Sequence, residues 1–229
     1  MTELEAERNN DNQVKSRKRV ADHGEVFTAQ REVNAMLDLV KQETERIESR
    51  FLEPACCTGN FLVEILKRKL AVVENRYAKS QLEYERYAII AILSIYSVDI
   101  LQDNLQTCRD RLLGIFRHYY LNNFKKDIKP GFLKADEFVV SKNILWGDAL
   151  TLKIPDEKAE PIVFAEWSAV NGGMMKRRDY DEIDFIKTLI RSMNSTSDQE
   201  NESQSNRSIE LFLSDMRQVI ESAWAVGSS

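Results

Sequence analysis

The sequence predicts an α/β fold with a doubly wound, mainly parallel sheet, and three observations carry that reading. Short runs of β-branched and aromatic residues alternate with longer segments whose apolar residues recur at helical spacing. Two of the short runs, "RFLEPA" (50–55) and "IYSVDI" (95–100), carry an acidic residue near their ends. The first of them passes through a tight turn, "EPACCTGNFL" (53–62), straight into a helical stripe. In open parallel sheets that junction is where ligands sit.

Each element has its own justification. Residues 1–20 are polar, with Lys15, Arg17, Lys18 and Arg19 after an acidic start, and read as a mobile arm. Val33, Met36, Leu37, Val40 and Ile47 recur at helical spacing and predict an amphipathic helix after Thr28. "RFLEPA" is a strand stopped by Pro54, and Phe61, Leu62, Ile65, Leu66 and Leu70 mark the buried stripe of the next helix. Helical sequence continues through Tyr87 and Leu93 to the second strand, "IYSVDI". Leu105, Cys108, Leu112, Phe116 and Tyr119 form a further helical stripe. "NILWGDAL" (143–150) and "PIVFAEW" (161–167) read as a third and a fourth strand, and "MMKRRDYDEIDFIKTLI" (174–190) as a basic knot entering a helix. These elements make one domain over residues 21–193, followed by a polar low-complexity linker (194–207). A last amphipathic helix is expected over 208–229, entered at Ser208, with Ile209, Phe212, Leu213 and Met216 on its apolar side.

Composition narrows the classes. At 229 residues with 43% apolar content, the chain can bury a real core. Its 32 basic and 37 acidic residues give a net charge of −5, which excludes a whole-chain basic footprint for nucleic acid and leaves only local patches. Three cysteines, two of them adjacent at Cys56 and Cys57, make no disulfide framework, and His23 and His118 stand in no metal-ligand spacing. The charged N-terminus is not that of a secretory signal, and the longest apolar stretch, Tyr87 to Tyr96, is about half a membrane span. A soluble cytoplasmic protein with no membrane partner is expected.

The strand ends carry the chemistry. Gly59 lets backbone approach a ligand closely, and the helix start after it offers free N–H groups. Asp99 can accept two hydrogen bonds from a ribose diol, as the acid of a dinucleotide fold does. Glu53 and Asp99 stand roughly 45 residues apart rather than the ~20 of a minimal βαβ unit, and the helical segment around 76–93 accounts for the excess.

These segments resemble the adenine-N6 DNA methyltransferases of restriction–modification systems, in their amino-terminal, cofactor-binding half. "EPACCTGNFL" resembles that family's cofactor loop, D-P-A-C-G-[ST]-G-x-[FL]; "GEVFTAQREVNAMLDLV" (24–40) resembles the G-x-[FVY]-[FYT]-T-P element that precedes it. "SVDI" (97–100) resembles the G-x-D-[IL] strand end, and "NILWGDAL" the N-x-x-x-x-D-[AS]-L segment. The resemblance spans residues 20 to about 150, in the family's order. It implies a sheet of the S-adenosylmethionine-dependent methyltransferase type, incomplete in this chain, with "RFLEPA" in the middle and "IYSVDI" beside it. It implies S-adenosyl-L-methionine as cofactor and DNA as the partner. By the same resemblance Thr28 would hold the methionine carboxylate, and Glu53, Ala55 and Gly59 would shape the methionine pocket. Asp99 would grip the ribose hydroxyls, Ile100 would lie against the adenine ring, and Asp148 would accept from the adenine amino group.

The departures are informative. Ala29 replaces a proline, Ser97 a glycine, and Cys57 stands where the family has a glycine, a strained choice if that position needs a positive φ. The family's [DNS]-P-P-[YFW] catalytic loop has no counterpart, since the only prolines are at 54, 130, 155 and 161. "PIVFAEW" is the strand expected to deliver that loop; at its end Trp167 could stack on a base and Glu166 could stand in for an acceptor, while an aromatic anchor and a solvated strand-end carboxylate are the favoured readings. No catalytic residue is assigned. The chain after residue 167 is short for the remaining strands and a target-recognition domain. Three readings follow: a methyltransferase subunit whose partner polypeptide brings the catalytic loop and the DNA reader; a non-catalytic methyltransferase-like binding module; and a methyltransferase acting on something other than DNA.

Overall fold

A computed structural model describes residues 15–23, 25–170 and 174–181. The linker (194–207) and the last helix (208–229) expected from the sequence lie outside the described residues, as does most of the arm.

The described chain is α/β, with a three-stranded parallel sheet flanked by helices. In order come α1 (Arg17–His23), α2 (Gln30–Leu39), α3 (Lys41–Thr44), β1 (Phe51–Glu53), α4 (Asn60–Tyr77) and α5 (Gln81–Leu93). Then follow β2 (Ile95–Asp99), α6 (Gln102–Asn123), α7 (Pro130–Asn143), β3 (Ile144–Trp146), β4 (Val163–Val170) and β5 (Met174–Asp181). Most of the anticipated helical stripes are buried: Val33 and Leu37 on α2, Leu62, Ile65, Leu66 and Leu70 on α4, Leu105, Cys108, Leu112 and Phe116 on α6. On α2 the stripe is narrower than expected, since Met36 and Val40 are exposed and the helix ends at Leu39, before Val40 and Ile47. α5 is capped by Ser80, whose hydroxyl accepts from the Glu83 N–H, half of the Ser-x-x-Glu capping pattern. α7 is an element that the sequence reading does not contain; Pro130 at its first turn suits a helix start, but its charges interrupt the apolar stripe.

The two faces of the sheet divide by the pleat's period of two. Phe51, Ile95 and Ile144 point into the cluster formed with the helices, whereas Leu52, Tyr96, Val98 and Leu145 face Ile162, Phe164 and Tyr180 of the β4–β5 segment. Tyr96 and Phe164 meet edge to face at 6.4 Å.

The strand pairing corrects three expectations. β2, not β1, is the middle strand among those described: Phe51 pairs with Ile95 on one side of the order and Ser97 with Ile144 on the other. β2 is buried along its whole length, which the central position demands, whereas β1 is only half-buried. Second, "PIVFAEW" does not extend the parallel sheet. It pairs antiparallel with β5, Phe164 opposite Tyr180 and Trp167 opposite Arg177. Third, residues 174–181, read as a helix entry, form that second strand, because alternate residues there meet a partner strand rather than a helix groove.

β4 also runs against the parallel strands. Ile162 lies beside Gly147 and Val98, at the carboxyl ends of β3 and β2. Glu166 reaches Arg50, just before β1, at 3.4 Å, and the Trp167 indole N–H donates to Asn143, just before β3, at 2.8 Å. Asn143 fixes that floor by donating to the Leu93 and Ile95 carbonyls. No helix among the described residues is long and apolar enough to cross a membrane.

Candidate functional site

The carboxyl ends of the three parallel strands are sewn together by hydrogen bonds. The Cys56 N–H donates to the Val98 carbonyl at 3.3 Å, the Gly147 N–H to the Asp99 carbonyl at 3.0 Å, and Ser97 Oγ to the Glu53 carbonyl at 2.8 Å. The loop after β1, the end of β2 and the turn after β3 therefore form one surface.

Asp99 is its centre. Only 5% of the residue is exposed, and its two oxygens accept from the Cys57 N–H at 2.7 Å and the Leu101 N–H at 2.8 Å. Burial pushes its carboxyl up to about 6, against the pull of those two N–H groups. Burial likewise pushes Glu53 up to about 7. Ile100, next to Asp99, is 46% exposed, an apolar side chain left at the mouth of the site.

The loop itself is held in two left-handed residues, Cys57 at φ 48 and Gly59 at φ 84. The strain anticipated at Cys57 is therefore present. Gly59 is required for a reason other than the anticipated ligand approach: a Cβ there would lie 2.5 Å from Cys108 Sγ on α6. Arg111, on the next turn of α6, donates to the Thr58 carbonyl at 2.6 Å and to Asn60 Oδ1 at 2.8 Å, and the Asn60 amide in turn donates to the Thr28 carbonyl at 3.0 Å. Thr28 is thereby joined to the loop, half-buried; Ala55 is exposed. Burial raises the Cys57 thiol to about 12, and Cys56 is raised by its contact with Cys108 and by burial, so neither is a thiolate nucleophile at neutral pH.

Asp148 stands two residues past β3 and is committed to its own turn, accepting from the Leu150 N–H at 2.8 Å and the Thr151 hydroxyl at 2.9 Å. Trp167 and Glu166 lie at the opposite end of the sheet, so neither can reach a ligand at the strand ends. The aromatic-anchor reading of Trp167 is the one its contacts support.

Sequence reasoning missed a polar clasp beside the site. Glu25, 3% exposed, accepts from Arg19 at 3.0 Å and from Asn104 at 2.5 Å. Arg19 also reaches Asp103 at 2.7 Å, and Lys15 donates to Asn104 at 2.6 Å. Asp103 is held at about 2 by Arg19. The end of the polar arm is thus fastened to the first turn of α6, directly after Asp99. The signal in the sequence was the basic cluster followed by Glu25 and, far away, the acid–amide pair at a helix start.

No family model, no curated protein and no solved structure matches this chain.

Proposed function

We propose that this chain is the cofactor-holding subunit of an S-adenosylmethionine-dependent adenine-N6 DNA methyltransferase of the restriction–modification type, working with a partner polypeptide. On this reading β1, β2 and β3 are the first half of a doubly wound methyltransferase sheet. The observation that carries it is the convergence, at adjacent parallel strand ends, of a buried acid, Asp99, an exposed apolar residue, Ile100, and the left-handed turn at Cys57–Gly59. A ribose diol, a flat ring and a short polar tail need those three things.

The charge of the site favours this ligand over a dinucleotide. Burial makes the carboxyls at Glu53 and Asp99 reluctant to ionise, a neighbouring cation offsets that cost where a pyrophosphate would add to it, and the cofactor carries a sulfonium and an ammonium. When bound, the cofactor supplies an electrophilic methyl group. Asp99 would accept from the ribose hydroxyls with the lone pairs that Cys57 and Leu101 leave, Ile100 would cover one face of the adenine, and Thr28 would stand near the methionine end. Asp148 would have to release Thr151 to accept from the adenine amino group.

A second reading, a non-catalytic methyltransferase-like binding module, is favoured by the direction of β4, which carries "AEWSA" away from the strand ends. Calorimetric titration with S-adenosylmethionine tests the site common to both. Micromolar binding that falls at least tenfold in Asp99→Ala, from the loss of charge-assisted hydrogen bonds of roughly 1.5–3 kcal/mol each, is expected. No heat of binding, or identical binding by the variant, rejects the site.

A further inference from the structure

The surface at the other end of the sheet has a chemistry of its own. Lys134, Phe138 and Lys142 stand four residues apart on α7, all exposed, a cation–aromatic–cation stripe about 12 Å long. Phe138 is 48% exposed. Its ring has the Lys142 ammonium at 6.0 Å and the Arg177 guanidinium of β5 at 5.7 Å from its centre. Trp167 meets it edge-on at 6.1 Å and is itself pinned to Asn143, so the platform rests on a fixed base.

Among the described residues, no acid pairs with Lys134 or Lys142. Glu137, beside Phe138 in the chain, is turned to Arg117 at 2.5 Å, and Arg177 has Asp179 at 3.0 Å. In a chain of net charge −5, cations gathered round an exposed ring are a local exception.

We infer that Lys134, Phe138, Lys142 and Arg177 form a binding surface for single-stranded nucleic acid. The cations track phosphates, and the ring gives an unstacked base a sequence-tolerant platform, as in other single-strand grooves. Duplex DNA keeps its bases stacked and could use only the cations. The inference rests on α7 and the β4–β5 segment and does not depend on the cofactor reading, since this face is at the end of the sheet remote from Asp99.

The test is fluorescence anisotropy of the full chain with labelled mixed-sequence oligonucleotides, single-stranded and duplex, across a salt series and without cofactor. Binding of the single strand is expected, with the logarithm of affinity falling at a slope of roughly −2 against log salt for three neutralised phosphates. The double variant Lys142→Glu/Arg177→Glu should lose at least tenfold. Phe138→Ala should lose about tenfold with the salt slope kept, and Phe138→Trp should restore binding. Circular dichroism and melting of each variant report folding. Equal affinity for duplex, or a Phe138→Ala chain that binds normally and is displaced by heparin, would mean polyanion adsorption only and overturn the inference. So would the absence of binding, or normal binding by a folded Lys142→Glu/Arg177→Glu chain.

Discussion

Asp99 and Cys57, 42 residues apart in sequence, meet where the carboxylate at the end of β2 accepts the backbone N–H of the loop after β1, at 2.7 Å. On the proposed reading, the residue that would grip a cofactor also holds the loop after β1 closed around itself. Glu53, at the end of the neighbouring strand, shares the desolvated environment.

That pair sets a pH dependence. Folded values of about 6 for Asp99 and about 7 for Glu53 lie above the ~4 of the unfolded chain, so the native state holds more protons between those limits. Their contribution to stability is full below pH ~4 and is lost as pH rises to ~7, by up to about 1.4 kcal/mol per pH unit for each group. Urea unfolding from pH 4 to 8 should show this decline, and Glu53→Gln should flatten it. A curve of the same slope in both proteins contradicts the assignment.

Cys57, at φ 48, should prefer to be glycine. A left-handed non-glycine residue costs roughly 1–2 kcal/mol, against the ~0.5–1 kcal/mol of extra chain entropy that glycine loses. Cys57→Gly is expected to unfold at equal or higher denaturant concentration, by up to about 1 kcal/mol. Cys57→Val, β-branched, should lose more than about 1 kcal/mol, and similar midpoints for the two variants would argue against backbone strain.

Gly59 and Cys108 should be energetically coupled. Gly59→Ala brings a Cβ to 2.5 Å from the thiol sulfur in addition to straining φ 84, whereas the Cys108 Cβ would be 3.3 Å away. In a Cys108→Ala background the clash is relieved and the strain remains. A double-mutant cycle should give a coupling of about 0.5–3 kcal/mol, with Gly59→Ala less damaging in the double variant. Strict additivity would show that the helix does not press on the turn.

Ala29 occupies a proline-shaped position. Its φ of −64 and ψ of 148 are those proline fixes, and among the described residues no backbone hydrogen bond uses its N–H. Ala29→Pro should raise stability by about 0.4–1 kcal/mol through the unfolded state. A lower melting temperature would place a bond or a clash at that N–H.

Turnover is expected to be absent from the isolated chain. Aligning an amino nitrogen with the methyl group can account for ~7–11 kcal/mol of a barrier, and the sequence holds no Pro-Pro pair to form the loop that would do so. Labelled S-adenosylmethionine and mixed-sequence DNA should give no methyl transfer by the single chain. Robust transfer abolished by Trp167→Ala would require β4 to present its indole at the cofactor site and would refute its antiparallel course.

What the sequence by itself determined was local. The helical stripes of α2, α4 and α6 and the strand character of 51–53 and 95–99 follow from apolar periodicity, which each segment carries alone. The suspicion of strain at Cys57 followed from one residue type in a turn. What only the tertiary structure decided was relational. Alternation in "PIVFAEWSAV" specifies a strand but not its partner or direction, so its antiparallel pairing with β5 and its reversed course were not legible. The middle position of β2, the clasp between Glu25 and Asn104, and the approach of Arg177 to Phe138 each join residues that stand far apart in the chain. Spacing along one segment cannot encode such contacts, because they exist only once separate elements have packed.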